Sequence, residues 1–299
     1  MSLTIDTLSS AAANWSIEVT PAGASKVQSF SDILAPKTAV NVTFLPGSDP
    51  QDTYFVAKRL HDEGMKPVPH IAARSVKNIK HLEKLVSTLS KKAFVKEVLV
   101  IGGGVGNPIG EFDSSMQILK TGILQANGIT KIGVAGHPEG SPDISDDAIR
   151  QALDEKNELA VKEKLQMYIE TQFCFEADMV LAWEKKIRED GNQLPVRIGI
   201  PGPATIKTLF RFAQISGIGP SMKFIAKQAR NVAKLMTVQS PHHLIAGLAK
   251  GMAADKACLI KYFHYYPFGG FVRTAKYAKA ISDGNVNLNP RGGFEIMED

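Results

Sequence analysis

Short apolar runs rich in β-branched residues recur along the chain, separated by longer stretches whose apolar positions return at helical spacing. The runs fall at 16–19, 39–44, 67–71, 98–101, 131–135, 167–172, 196–200 and 259–264, and each predicts a strand. The run at 67–71 is the weakest, because Pro67 and Pro69 remove ladder donors. Helices are predicted at 50–64, 75–91, 113–126, 144–164, 176–190 and 203–216. Two more are predicted near 221–236 and 240–255, and a last one at 270–282. The first follows Ser48-Asp49-Pro50, a capping side chain and then a proline suited to the first turn.

Strands that alternate with helices predict a parallel sheet, since parallel neighbours need a crossover between them. Eight such strands in 299 residues favour closure into an α/β (β/α)8 TIM barrel over an open doubly wound sheet. No linker or internal repeat divides the chain. The expectation is a single domain over 1–299, with a short N-terminal extension at about 1–14 and an irregular tail at about 283–299.

Composition narrows the function classes. Hydrophobic residues make up 44% and charged residues 22%, as expected for a globular core. The net charge is +5, but basic residues form no long run and are not interleaved with aromatics, which argues against nucleic acid as a partner. No apolar window is long enough for a membrane span, and the first residues do not resemble a secretory signal. The cytoplasm is the expected compartment. Cys174 and Cys258 form no C-x-x-C pair, and no histidine spacing suggests a metal site.

In α/β barrels the chemistry sits at the C-terminal ends of the strands. Here those ends carry Glu18, Thr43, His70, the turn Gly102-Gly103-Gly104, the loop His137-Pro138-Glu139, Gln172, Pro201-Gly202-Pro203 and His264. Each has an ordinary structural explanation, yet a barrel interior is expected to be apolar, so their shared position points to a site. The glycine run lets a flat ring or a phosphate approach the backbone. It is not a dinucleotide fingerprint, because the step of five from Gly102 reaches Asn107, and no P-loop is present.

Several segments resemble the methylenetetrahydrofolate reductase family. The stretch from Gly133 to Pro142 is similar to the family's "GVAGYPEGHPE", and Thr171-Gln172-Phe173-Cys174-Phe175-Glu176 is similar to "TQFFFD". Around Glu18 the chain resembles "SFEFFPP", around Thr43 "SVTYG", around His70 "PHLTC", and from Ile200 to Pro203 "IPGIMP". The resemblance implies a barrel that holds FAD and a folate substrate. Glu18 would be the general acid that opens the folate imidazolidine ring to an iminium. Reduced flavin would then deliver hydride to the one-carbon unit. Gln172 and Phe175 would contact the folate. Thr43, His70, Gly102, Gly103, Gly104, Phe112, His137, Glu139 and Lys164 would contact the cofactor. NADH or NADPH would be the electron donor, and a homo-oligomer is left open. Where the family reads "ALRGD", this chain has Val100-Ile101-Gly102-Gly103-Gly104, without the arginine and the aspartate. A folate-binding or methyl-transferring barrel without redox chemistry is the alternative.

Overall fold

The computed structural model of the chain describes residues 2–215, 237–290 and 292–297. Eight parallel strands, β1 (Ser16–Val19), β2 (Ala39–Val42), β3 (Lys66–Ala72), β4 (Glu97–Ile101), β5 (Lys131–Gly136), β6 (Gln166–Phe173), β7 (Val196–Pro201) and β10 (Ile260–Tyr266), close into a barrel in the order β1-β10-β7-β6-β5-β4-β3-β2. A two-residue ladder, β8 (Ala204–Thr205) with β9 (Val238–Gln239), lies between β7 and β10 in sequence. The (β/α)8 expectation holds strand for strand.

The prolines of β3 do not weaken it, and Lys66–Ala72 is a full barrel strand. Pro67 and Pro69 are two residues apart, so their missing N–H groups lie on the same edge of the strand. His70, Ile71 and Ala72 pair in register with Leu99, Val100 and Ile101 of β4.

Two expectations need correction. The helix expected at 113–126 is two short ones, Ser115–Lys120 and Ile123–Ala126, and the break falls where Gly122 takes φ +72°. The tail expected to be irregular contains an antiparallel pair, β11 (Val286–Leu288) with β12 (Phe294–Ile296). Its apolar residues explain the pairing, since Val286 and Phe294 are buried and Asn289, Pro290, Gly292 and Gly293 fall between the two strands. The helix expected at 221–236 lies outside the described residues.

Contacts divide the chain into two compact units. One comprises 16–135 and 155–169, and the other 1–15, 136–154 and 170–299. In the first, β1 to β5 carry an apolar wall that includes Ile17, Val40, Val42, Ile71, Val98, Val100, Ile132 and Val134, all buried. The helices Pro50–Asp62 and Ile79–Lys92 supply Ala57, Leu60, Leu82, Val86 and Leu89. Asp49 and Asn78 cap them, each accepting a backbone N–H from the first turn.

In the second unit, helix Ile5–Ala11, which the sequence analysis left as an extension, packs against β10 and the helices His242–Ala254 and Phe271–Ser282. A capping box between Thr4 and Thr7 starts it. Gly199 lets β7 come close to β6, because a Cβ there would lie 2.4 Å from the Gln172 carbonyl oxygen. Among the described residues, no helix is long and apolar enough to cross a membrane.

Candidate functional site

The expected site residues divide between the two units, and each set has its own geometry. In the first unit, the strand registers place Glu18 opposite Asn41 and Asn41 opposite Val68. In-register neighbours of a parallel sheet share a face, so Glu18 and Asn41 stand side by side. One step beyond β2, the Thr43 hydroxyl donates to Glu18 Oε2 at 3.1 Å. The Thr43 backbone N–H continues the ladder onto Val19 O at 3.0 Å, so the hydroxyl is fixed by the strand that carries it. Glu18 is half-buried, which leaves its carboxyl group reachable.

His70 is buried, and its Nε2 lies 3.4 Å from Asn41 Nδ2. With the Asn41 amide donating, Nε2 accepts and the imidazole proton sits on Nδ1. Asn41 was not anticipated as a site residue. Its signal was a lone amide inside the β-branched run 39–44.

The triglycine turn follows β4 directly. Gly103 takes φ +100°, a conformation open to glycine. A Cβ on Gly102 would meet nothing within 4 Å, and one on Gly104 would meet Pro46 Cγ at 3.9 Å. The backbone therefore has open space beside Gly102 and Gly104, while Gly103 faces Ala72. Arg74, in the turn after β3, binds this loop at several points: its N–H donates to Gly102 O, its Nε to Asp113, and its Nη1 toward Val105 O. Nothing in the sequence marked Arg74. Phe112 is buried at the far end of the same loop.

Lys164 does not join the other residues. It occupies the turn after helix Asp146–Lys162, at φ +51°, just before the N-terminal end of β6. Gln172 lies at the opposite end of that strand. The sequence also places Lys164 in the segment before β6.

In the second unit, Gln172 is exposed at the C-terminal end of β6. The backbone under it is held firmly. Gly199 N–H donates to Thr171 Oγ1 at 2.9 Å, and Tyr266 OH donates to Thr171 O at 2.9 Å. Phe175 is half-buried and meets Phe173 edge-on, with ring centroids 5.8 Å apart. Phe173 also packs against Tyr266 and Phe268. His137 and Glu139 are half-buried in the turn after β5, which is closed by Gly140 N–H on His137 O. Glu139 lies near Cys174, whose thiol is pushed up to about 12 by burial first and by the Glu139 charge second. That cysteine is inert as a nucleophile at neutral pH.

Below Gln172, a buried polar group spans three strands. Arg197 Nη1 donates to Glu170 Oε2 at 3.0 Å, and His264 Nδ1 lies 3.9 Å from the same oxygen. All three residues are at most 3% exposed. Burial, then the Arg197 charge, holds the His264 imidazole well below its ordinary range, so it is neutral. This group overturns the expectation that the interior behind the strand ends is apolar.

Among the described residues, no three His, Cys, Asp or Glu side chains gather as a metal site would require. Residues 8–227 match the sequence model of the family described as methylenetetrahydrofolate reductase. Among solved structures, the fold is similar to that of a protein titled "Uncharacterized protein from Clostridium thermocellum binds two copies of 5-methyl-5,6,7,8-tetrahydrofolic acid". The two share a TM-score of 0.55 and 12% identity, over 88% of this chain and 96% of that one.

Proposed function

The chain belongs to the methylenetetrahydrofolate reductase family, and from that premise we propose that it binds a reduced folate and interconverts 5,10-methylenetetrahydrofolate and 5-methyltetrahydrofolate. The observation that carries this reading is the hydroxyl-held carboxyl group of Glu18 at the C-terminal end of β1. The folate bound by the structural relative supports the ligand class.

In the reductive direction Glu18 gives its proton to a nitrogen of the imidazolidine ring. The carbon–nitrogen bond opens with its electron pair going to that nitrogen, which leaves an electrophilic iminium carbon. In the oxidative direction Glu18 takes the proton back. Thr43 orients the carboxyl group for either transfer. Gln172, with one amide donor side and one acceptor side, places the folate by its polar edge.

Within the first unit, the residues that would hold FAD are Thr43, His70 and the glycine turn Gly102 to Gly104; in the second unit the candidates are His137 and Glu139. When bound, the flavin supplies or accepts the hydride. The amide-held His70 and the Cβ-free turn fit a flat heterocycle. NADH and NADPH are the candidate donors for reduction. Phe112 is assigned to anchoring its loop, and Lys164 stays a candidate only by the family resemblance.

A folate-binding barrel without redox chemistry is the second reading, and the missing arginine and aspartate of the strand-four turn favour it. Purified protein is loaded with FAD without oxygen and mixed with 5-methyltetrahydrofolate. Bleaching of the visible flavin band supports the redox reading. Folate binding with an unchanged spectrum supports the second, and binding of neither ligand rejects both.

A further inference from the structure

The loop 102–113 follows β4 and contains the triglycine turn. Nearly all of it is exposed, from Gly104 through Asp113, apart from Val105 and the buried ring of Phe112. An exposed loop with one buried side chain has little apolar packing to hold it in shape. Its order comes from hydrogen bonds, and most of these converge on Arg74.

The bonds are spread along the loop. Arg74 N–H donates to Gly102 O at 2.9 Å, and Ile109 N–H donates to Arg74 O at 2.9 Å. Arg74 Nε donates to Asp113 O at 2.9 Å and to Asp113 Oδ1 at 3.0 Å, while Nη1 reaches Val105 O at 3.4 Å. The backbone of residue 74 thus holds the loop at Gly102 and Ile109, and its guanidinium adds the bonds to Val105 and Asp113. The Arg74 side chain is 30% exposed, so it is partly withdrawn from water. A guanidinium suits this role because its donors point in fixed, divergent directions, whereas an ammonium offers one point of charge.

We propose that Arg74 is a positioning residue of the ligand site, holding the 102–113 loop so that the open face of Gly102 to Gly104 is presented to a flat heterocyclic ligand. This rests on the flavin and folate assignment above. Gly103 contributes from the other side, because its φ of +100° sets the bend and its position leaves Ala72 Cβ 3.2 Å from where a side chain would begin. Arg74 touches no ligand in this scheme and acts through the loop.

The test compares the full-length wild type with Arg74→Ala and Arg74→Lys, first by hydrogen exchange without ligand and then by FAD and 5-methyltetrahydrofolate titration. Expected are roughly tenfold faster exchange of amides in 102–113, unchanged exchange in the barrel strands, and roughly tenfold weaker FAD binding in both variants. A looser loop with wild-type affinity for FAD would make Arg74 merely structural and overturn the proposal, as would unchanged exchange. Full recovery by lysine would overturn it too, because charge alone would then suffice. If the wild type takes up no FAD but binds the folate, the cofactor assignment fails and folate affinity decides the role of Arg74 by the same comparison. If the wild type binds neither, the functional reading falls, and this inference falls with it.

Discussion

The Thr43 hydroxyl donates to Glu18 Oε2 at 3.1 Å, which fixes the orientation of a half-buried carboxyl group at the end of β1. Glu18→Gln keeps the shape and the hydrogen bond acceptor but cannot release a proton. Turnover of methylenetetrahydrofolate should fall by about a hundredfold to ten thousandfold, with folate and FAD affinity retained. Thr43→Val leaves the acid in place but unoriented and should cost about tenfold. Steady-state kinetics beside binding titrations check both, and a Glu18→Gln enzyme that turns over normally removes Glu18 from the chemistry.

Arg197 and Glu170 form an ion pair at most 3% exposed. Removing one partner strands the other charge in a dry interior. Arg197→Met or Glu170→Gln should each destabilise the fold by about 3–5 kcal/mol. The double replacement Arg197→Met with Glu170→Leu should recover most of that loss, because no charge is then left alone. Denaturant melts of the three variants give the comparison, and single variants as stable as wild type would show the pair to be dispensable.

His264 is fully buried, with its proton affinity depressed by burial and by Arg197, and Glu170 is the facing carboxylate. The unfolded chain, with an ordinary value of 6.5, binds a proton that the folded protein refuses. Stability from this group is full above that value and is lost as the pH falls below it. His81 and His242 are lowered in the same direction, each mainly by burial. The melting temperature should therefore drop between about pH 7 and 5, and His264→Gln should reduce the slope by about one proton. An identical slope in that variant would assign the effect to the other two histidines.

Gly199→Ala puts a methyl group 2.4 Å from the Gln172 carbonyl oxygen and 2.8 Å from the Phe173 nitrogen. Both are backbone atoms and cannot turn aside. The variant should lose about 1–3 kcal/mol of stability and bind folate less well, since β6 must shift where it carries Gln172. Unchanged melting and affinity would mean that β7 moves away freely.

The barrel was legible because each strand is a compact apolar run and each helix repeats at its own period. Even Pro67 and Pro69, which argued against β3, lose donors on one edge alone, and β3 pairs with both β2 and β4. Glu18, His70, the glycine turn and Gln172 were visible because they end strands. Lys164 was legible as a residue of the segment before β6, between helix Asp146–Lys162 and the strand. Arg74 was invisible because its partners lie from Gly102 to Asp113, and no local pattern records a contact at that separation. Glu170 and Arg197 were missed because the interior was taken to be apolar. A polar residue at a strand's inner face marks a site only when it is not already neutralised by a buried partner, and a linear sequence does not reveal that pairing.

Helix Ile5–Ala11 buries Leu8 completely, and its neighbours are β10 and the helices His242–Ala254 and Phe271–Ser282. A ribosome therefore releases Leu8 long before anything exists to cover it. This segment must wait until residues 242–282 have been made. Burial of Leu8 thus depends on residues that lie more than two hundred positions later in the chain, and a nascent chain stalled before residue 242 would leave it uncovered by them.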